Sequence, residues 1–236
     1  AGFNVASAYN NGAVDTRMVH EAQAVDFLGT GNPQWYAGGR TISDFPDAGV
    51  RTLPGVTLPG DSTPLPAQAG IPCDMDRDGD MDIVQVYGWS GPGGTDVCQV
   101  FLNNGSGTFV RNAAFTLPAK FGGPDWSTVA LATADFNGDG APDVLLGTTG
   151  GSELLADGRT INGYGIAGLQ LLLNRGDGTF YDATTTAGFT WSTNERWVVW
   201  TRIADLDGDG RPDILAQVRL VNGTTARVFL NGGAGR

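Results

Sequence analysis

The stretch Asp205-Leu206-Asp207-Gly208-Asp209-Gly210-Arg211-Pro212-Asp213 has two close copies upstream, at residues 74–82 and 135–143. In all three copies, oxygen-bearing side chains stand at positions 1, 3, 5 and 9, and glycine stands at position 6. A fourth, altered copy occupies residues 26–34. In chain order we name them loop 1 (26–34), loop 2 (74–82), loop 3 (135–143) and loop 4 (205–213). Copies at intervals of about 50 to 70 residues predict a repeat architecture.

The oxygen spacing in loops 2 to 4 is typical of a calcium site, because carboxylate and amide oxygens around a sharp glycine turn suit a hard cation. Without a cation, each loop would hold several unneutralised carboxylates close together. An EF-hand is excluded, since position 12 is Gln85, Leu146 or Ala216 instead of glutamate. The residues after each loop also favour a strand over a helix. A metal-free Asp-Gly hairpin turn is the remaining alternative.

Loop 1 keeps the turn and loses most of the oxygen ligands. Leu28, Thr30 and Gln34 replace the ligand residues and leave Asp26 as the one charged group. We predict that this loop binds no metal.

A second motif follows loops 2 and 3 at residues 100–109 and 171–180, where a short apolar run leads into Asn, a glycine-rich turn and Phe. It predicts a strand, a tight turn and an outer strand. The last copy, at residues 228–235, stops before its outer strand, and the Gly2-Phe3 pair near the N-terminus could supply it. Together the motifs predict a small all-β propeller.

The two motifs resemble the FG-GAP/VCBS family, whose calcium-loop repeats build the propellers of integrin α-subunits. The resemblance implies that each loop joins the first two strands of a blade and that all metals lie on one face. It implies that position 7, which is Asp80, Ala141 or Arg211, contributes its backbone carbonyl. The implied side-chain ligands of about three calcium ions are Asp74, Asp76, Asp78, Asp82, Asp135, Asn137, Asp139, Asp143, Asp205, Asp207, Asp209 and Asp213.

We expect one domain over residues 1–236, with four blades of four antiparallel strands closed by the N-terminal strand. Integrin-type propellers have seven blades, so a fragment or half of a larger propeller is the alternative. The glycine- and proline-rich stretches at 53–72 and 91–94 are predicted loops. Residues 147–168 are predicted to be the longest loop.

The composition limits the partners and suggests a compartment. A net charge of -11 argues against nucleic acid and anionic membranes as partners. The sequence shows no membrane-length apolar run and no signal-peptide pattern at its start, which predicts a mature form or an excised domain. A Cys73–Cys98 disulfide is predicted, with two buried thiols as the alternative, and together with the calcium loops it suggests secretion.

The first functional hypothesis is a secreted binding module for carbohydrate. Aromatic rings would stack on sugars at the face opposite the calcium loops, and the candidates are Trp89, Trp126, Tyr164 and Trp191. Polar side chains near them would meet the hydroxyls, and they are Asp125, Arg159, Asn162 and Asn194. Trp197 and Trp200 are predicted core residues, and each of the four candidate rings could instead pack between blades.

The second hypothesis is a polysaccharide lyase or glycoside hydrolase, and the balance is against an enzyme. A glycosidase needs two carboxylates beside a cleft, and outside the loops the candidates are scattered: Asp125, Glu153, Asp157 and Glu195. His20, the sole histidine, is expected to be structural. The third hypothesis is a protein-interaction or adhesion domain of a larger secreted protein.

Overall fold

The computed structural model describes residues 23–36, 41–44, 50–52, 67–87, 97–112, 127–154, 160–176 and 179–233. The predicted N-terminal closing strand and the loop at 91–94 lie outside the described residues. So do several candidate residues, namely His20, Trp89, Asp125, Trp126, Asp157 and Arg159. Glu153, Asn162 and Tyr164 are described only by their backbone, which forms strand.

The described residues form four antiparallel sheets whose strands follow one another in chain order. Sheet 1 contains β1 (Gln23–Val25), β2 (Gln34–Tyr36), β3 (Thr41–Asp44) and β4 (Val50–Thr52). Sheet 2 contains β5 (Ala67–Cys73), β6 (Asp82–Tyr87), β7 (Val97–Asn103) and β8 (Phe109–Arg111). Sheet 3 contains β9 (Ser127–Ala134), β10 (Asp143–Leu154), β11 (Thr160–Asn174) and β12 (Phe180–Asp182). Sheet 4 contains β13 (Glu195–Ala204), β14 (Asp213–Leu220) and β15 (Thr224–Phe229).

The all-β prediction is confirmed. The four-residue α1 (Thr184–Ala187) is the one helix among the described residues. In that part of the chain, no helix has the length and apolar character that a membrane span requires. Each loop joins the first and second strands of its sheet, because every first strand ends just before position 1 and every second strand begins at position 9. The four loops therefore occupy equivalent places in the four sheets.

Successive sheets pack face to face, with an apolar core between each pair. Side chains alternate between the two faces of a strand, so the residue at position 10 of a repeat faces the preceding sheet and the residue at position 11 faces the following one. The core between sheets 1 and 2 contains Phe27, Tyr36, Ile83, Phe101 and Phe109. The core between sheets 2 and 3 includes Met75, Val84, Val100, Val144 and Leu172. The core between sheets 3 and 4 includes Phe136, Leu145, Leu171, Val198 and Ile214.

Two faces of this stack remain uncovered. At position 2, Leu206 of loop 4 is 44% exposed, whereas Phe27, Met75 and Phe136 at the same position of the other loops are at most 9% exposed. Val228 and Leu230 are exposed on the same face of sheet 4. At the other end, Trp35 at position 10 is 47% exposed, whereas Ile83, Val144 and Ile214 at the same position are at most 5% exposed. Each uncovered face therefore presents the residues that, in the other sheets, are buried against a neighbouring sheet.

Two stretches predicted to be loops are strands. Residues 67–73, within the predicted loop at 53–72, form β5, although this strand contains Gly70 and Pro72. Gly70 has a packing reason, because a β-carbon built on it would lie 1.8 Å from the hydroxyl oxygen of Tyr36. Most of the predicted loop at 147–168 belongs to the long hairpin of β10 and β11, which pair from Val144–Leu172 out to Leu154–Thr160.

The predicted disulfide is wrong, since Cys73 and Cys98 are both free thiols. Cys73 lies opposite Asp82 and Cys98 lies opposite Val86, so β6 separates them and they are offset along it. Two strand spacings and four residues of offset place their Cα atoms well over about 10 Å apart, beyond the roughly 7 Å that a disulfide allows. Burial raises the pKa of the Cys98 thiol to about 12, so this thiol is protonated at neutral pH.

Candidate metal centre

The carboxylate at position 1 organises each loop. Its Oδ2 accepts the backbone N–H of the glycine at position 6 over 3.1 Å in loop 2, 2.8 Å in loop 3 and 3.0 Å in loop 4. These glycines have φ between 83° and 96°, a conformation that L side chains rarely adopt. Aspartate at position 1 and glycine at position 6 therefore fix the turn before any cation is considered.

Side-chain oxygens at positions 3 and 5 are turned inward by local hydrogen bonds. At position 3, Oδ1 of Asp76, Asn137 or Asp207 accepts the N–H of position 5 over 3.0 to 3.2 Å. At position 5, Oδ1 of the aspartate accepts the N–H of position 7 over 2.8 to 2.9 Å. Short Asx turns of this kind hold each oxygen in a fixed direction.

Two of the loops bring three carboxylates together. One ligand oxygen each of Asp74, Asp76 and Asp78 lie within 4.8 Å of one another, and the same holds for Asp205, Asp207 and Asp209. Burial, with the charge of Asp78, raises the pKa of Asp76. In loop 3, Asn137 takes the place of the middle carboxylate, and its Nδ2 donates to Oδ2 of Asp139 over 2.8 Å.

One oxygen in loop 2 fits a cation ligand. Oδ1 of Asp74 is buried and has no hydrogen-bond donor among the described residues. A buried carboxylate oxygen without a partner is costly. The oxygen belongs to one of the three-carboxylate groups, so a divalent cation bound there would supply the partner that the protein does not.

The aspartate at position 9, predicted as a ligand, has a role that the sequence did not reveal. Asp82, Asp143 and Asp213 each accept the N–H of position 2 through Oδ2 and the N–H of an asparagine at or just after the end of the third strand through Oδ1, over 2.7 to 2.8 Å. Position 9 lies outside both three-carboxylate groups. Each oxygen keeps a second lone pair, so metal ligation by this residue stays a prediction.

The same asparagines link neighbouring sheets at the loops. Nδ2 of Asn103 donates to the carbonyl of Phe27 in loop 1 over 2.7 Å, and Nδ2 of Asn174 donates to the carbonyl of Met75 in loop 2 over 3.1 Å. Asn231 makes the equivalent bond to Phe136 in loop 3 over 2.8 Å. We name these three residues the bridging asparagines. Their recurrence in the second sequence motif was the signal for this role.

The pKa values of the position 9 residues differ with their surroundings. Burial raises the pKa of Asp82 and of Asp143 to about 6, against the effect of the two N–H groups that each accepts. The N–H groups of Asn231 and Leu206 lower the pKa of Asp213. Asp213 lies on the sheet that has an uncovered face, which explains the smaller effect of burial there.

Family comparison agrees with this geometry. A model described as FG-GAP-like repeat matches residues 74–146 and 156–216, more than half of the chain, and a model described as FG-GAP repeat matches residues 127–166. The chain belongs to the FG-GAP repeat family. FG-GAP repeats commonly bind calcium and are typical of extracellular binding and adhesion modules. No curated protein sequence matches the chain.

Loop 1 has the same turn as the other loops but lacks their group of carboxylates. Asp26 accepts the N–H of Gly31 over 2.5 Å, as position 1 does in the other loops. At position 9, Oε1 of Gln34 accepts the N–H of Phe27 over 2.7 Å, the bond that aspartate makes elsewhere. The backbone N–H groups of Gly31, Thr30 and Leu28 outweigh burial and lower the pKa of Asp26. Leu28 and Thr30 offer no carboxylate, in keeping with the predicted loss of the metal.

Trp191, a candidate of the binding hypothesis, and Glu195, a candidate of the enzyme hypothesis, both contact Arg227 of sheet 4. Trp191 packs on Phe229, with ring centroids 5.6 Å apart, and the guanidinium of Arg227 lies 5.6 Å from the Trp191 ring centroid. Arg227 also forms a 2.7 Å ion pair with Glu195, which is buried. The N–H and hydroxyl of Ser192 occupy the Oε2 atom of Glu195, so this carboxylate is structural. Asn194 accepts a hydrogen bond from the Ser192 hydroxyl nearby.

The prediction that Trp197 and Trp200 are core residues is wrong. Both are only half-buried, because β13 carries them on the uncovered side of sheet 4. The guanidinium of Arg219 lies 5.9 Å from the Trp197 ring centroid, and that of Arg202 lies 5.5 Å from the Trp200 ring centroid.

Proposed function

We propose that the chain is a calcium-stabilised extracellular binding module. The observation that carries this proposal is the bare Oδ1 of Asp74 within a group of three carboxylates, in a loop whose chemistry recurs along the chain. Calcium would be held by positions 1, 3 and 5, with the carbonyl of position 7 and the free lone pairs of position 9 as further donors. We infer one ion each in loops 2, 3 and 4.

The role of the ion would be structural. The charge of the cation would offset the repulsion among the aspartates, and the loops lie where the bridging asparagines join one sheet to the next. A stabilised loop therefore stabilises an interface between sheets, and that interface contains one of the apolar cores.

The test is calcium binding together with thermal unfolding. We expect about three calcium ions per chain by isothermal titration, and a lower melting temperature after EDTA treatment. Asp78→Ala should remove one ion, whereas Thr30→Ala in loop 1, at the same position 5, should leave the number of bound ions unchanged. Absence of binding with a melting curve unaffected by EDTA would refute the calcium proposal.

We also propose that the four sheets close into a four-bladed ring. The support is the complementarity of the two uncovered faces, since Trp35 stands where Ile83, Val144 and Ile214 fill the preceding sheet. In a closed ring Trp35 would pack on sheet 4 at Leu206, Val228 and Leu230. A second copy of the chain, placed head to tail, would cover the same faces in a dimer.

Two measurements separate these arrangements. Light scattering after size exclusion should give a monomer, and X-ray scattering should give a compact particle. Trp35→Ser should then destabilise the chain by about 3 kcal/mol, as a core aromatic does. Val110→Ser, a change at an exposed apolar residue of β8, should alter stability by less than about 0.5 kcal/mol. A dimer, or a Trp35→Ser variant as stable as Val110→Ser, would refute closure within one chain.

The binding face is proposed at the ends of the sheets opposite the loops. There the β10–β11 hairpin departs from the repeat, since its strands have 12 and 15 residues and the second and third strands of sheet 2 have 6 and 7. Sheet 4 holds the hairpin through two bonds: the Thr149 hydroxyl donates to the carbonyl of Arg196 over 3.0 Å, and Nη1 of Arg196 donates to the carbonyl of Gly165 over 3.1 Å. A hairpin that extends beyond the repeat and is anchored to the neighbouring sheet is a suitable place for residues that determine ligand specificity.

Carbohydrate is the ligand class that we propose. Tyr164 belongs to the long hairpin and stands near the proposed face. Trp191 precedes sheet 4 in the chain but packs on Phe229, which pairs with Ile214 directly after loop 4. Trp89 and Trp126 complete the proposed set. One part of the Trp191 ring is already covered by Arg227 and Phe229, so we expect Tyr164 to contribute more to binding than Trp191.

A broad glycan array tests the ligand class. Bound saccharides should weaken at least tenfold with Tyr164→Ala and be unaffected by Tyr181→Ala, a change at an exposed tyrosine of β12. EDTA should reduce binding in proportion to unfolding. A folded, calcium-bound chain that binds nothing on the array would refute the carbohydrate proposal and favour a protein ligand.

A further inference from the structure

Arg77 breaks the pattern of the loops at position 4. Gly29, Gly138 and Gly208 occupy this position in the other loops, with φ between 63° and 82°. Arg77 has the same left-handed backbone, with φ 63°, and it is the one residue other than glycine with positive φ among the described residues. This conformation is unfavourable for an L side chain, so the arginine is retained in loop 2 against a local penalty.

The side chain of Arg77 leaves its own loop and reaches sheet 3. A β-carbon built on Gly176 would lie 2.7 Å from Nη2 of Arg77, and one built on Gly140 would lie 3.7 Å from Nη1. Gly140 is position 6 of loop 3, and Gly176 lies in the turn after β11. The guanidinium is therefore seated beside loop 3, and a larger residue at Gly176 would require it to shift.

Loop 3 has the fewest carboxylates of the three acidic loops. Asn137 stands where loops 2 and 4 have aspartate. The guanidinium of Arg77 adds a positive charge next to Gly140, the turn glycine of this loop. Arg211 of loop 4 also pairs with a carboxylate, Asp209, but that loop keeps all three acidic groups.

Loop 2 differs from loops 3 and 4 in the hydrogen bonds made by the carboxylate at position 1. In loops 3 and 4, Oδ1 of position 1 accepts the N–H of the glycine at position 4 over 2.7 Å. In loop 2, where Arg77 occupies position 4, Oδ1 of Asp74 has no hydrogen-bond donor within the part of the chain that the structure describes. This loop offers a cation three carboxylates and one oxygen without a competing hydrogen bond.

We infer that Arg77 makes the calcium sites unequal in affinity. Its guanidinium supplies a positive charge to loop 3, which therefore binds calcium most weakly. Loop 2 binds calcium most tightly. This inference rests on the calcium proposal. A positive charge beside a divalent cation repels it, and at a distance of roughly 6 to 8 Å in water the effect corresponds to about three- to tenfold in affinity. The chain would accordingly fill in steps as calcium rises.

The test is a calcium titration with a competing chelating dye, on the intact chain at low ionic strength. The wild-type titration should contain a tightest and a weakest calcium-binding step. Asp78→Ala in loop 2 should remove the tightest step, and Asp139→Ala in loop 3 should remove the weakest. Arg77→Asn keeps a residue that tolerates left-handed backbone and removes the charge. It should tighten the weakest step about three- to tenfold, and 1 M salt should largely abolish this difference.

Arg175→Asn is the matched control, because Arg175 lies in the turn of sheet 3 beside Gly176 but stacks on Tyr181, 5.1 Å from the ring centroid. The change removes an equal charge and should leave the weakest step within about twofold. Equal tightening by the two variants would show a general charge effect and overturn the inference. An unchanged weakest step in Arg77→Asn would overturn it as well. Complete absence of calcium binding would instead refute the proposed function.

Discussion

Loop 1 and loop 4 share the hydrogen bonds that form the turn but differ in the number of carboxylates they carry. In both, the carboxylate at position 1 accepts the N–H of a glycine at position 6, and a side-chain oxygen at position 9 accepts the N–H of position 2. Loop 4 adds carboxylates at positions 3 and 5, where loop 1 has Leu28 and Thr30. The bonds at positions 1 and 9, which the two loops share, are thus sufficient for the turn, and the carboxylates at positions 3 and 5 are what loop 4 adds for a cation.

The comparison teaches that a metal loop can lose its metal without losing its place in the fold. Gln34 makes the bond of an aspartate and carries no charge. A neutral acceptor at position 9 is sufficient for a loop that has no acidic group to balance. Substitutions at position 9 and at positions 3 and 5 should therefore have different consequences.

The largest effect is expected from Asp143→Ala. Asp143 is fully buried and accepts the N–H groups of Phe136 and Asn174, so the change leaves two buried donors without an acceptor. At about 1 to 3 kcal/mol for each donor, we expect a loss of roughly 2 to 6 kcal/mol in urea unfolding. Gln34→Ala in loop 1 removes one such bond and should cost about half as much. Equal losses would contradict the doubled role of the aspartate.

A smaller effect is expected when loop 4 is given the residues of loop 1. Asp207→Leu with Asp209→Thr should remove one calcium ion and the stabilisation that it provides. In EDTA the double variant should be more stable than wild type by about 1 kcal/mol, because neighbouring like charges have been removed. The pair Asp207→Asn and Asp209→Asn keeps the ligand oxygens and isolates the effect of charge. A double variant that is less stable than wild type in EDTA would contradict the separation of shape and charge.

The reverse exchange should create a site. Leu28→Asp with Thr30→Asp gives loop 1 three carboxylates, and we expect one additional calcium ion, bound more weakly because position 9 remains Gln34. Terbium luminescence and equilibrium dialysis would count the ions. Leu28→Asn with Thr30→Asn serves as the uncharged control. If no further ion binds, positions 3 and 5 are insufficient and a carboxylate at position 9 is required.

A further effect concerns pH in the absence of calcium. Asp82 and Asp143 have pKa values of about 6, above the ordinary 3.8, so the folded chain binds their protons more tightly than the unfolded chain. Stability from these groups is therefore fully present below pH 3.8 and is lost as pH rises through about 6. In EDTA, unfolding free energy should increase as pH falls from 7 to 5. Asp82→Gln, which copies loop 1, should reduce this slope, and a slope of opposite sign would contradict it.

Local motifs were sufficient to predict the repeats, the strands after each loop and the altered loop 1. These depend on residues close in sequence, such as aspartate at position 1 and glycine at position 6. Strand pairing could not be predicted in the same way. The prediction of a loop at 147–168 is wrong because glycines are typical of turns, whereas Gly147, Gly150 and Gly168 are paired within β10 and β11.

The errors at the cysteines and at position 9 have a common cause. Cys73 and Cys98 belong to one repeat, but sheet register separates them across β6. Asp82 matches a ligand spacing, but its two oxygens face N–H groups on different parts of the chain. A motif gives residue type and spacing, whereas register decides which side chain faces which partner.

The bridging asparagines have a consequence for the order in which the chain folds. Each closes a loop that precedes it by 76, 99 or 95 residues. During synthesis, a loop therefore emerges well before the asparagine that clamps it, and each loop is clamped only when the asparagine of the next repeat has left the ribosome. Contacts of such separation slow folding. In a nascent chain from which Asn174 has emerged and Asn231 has not, loop 2 should be clamped and loop 3 should be unclamped.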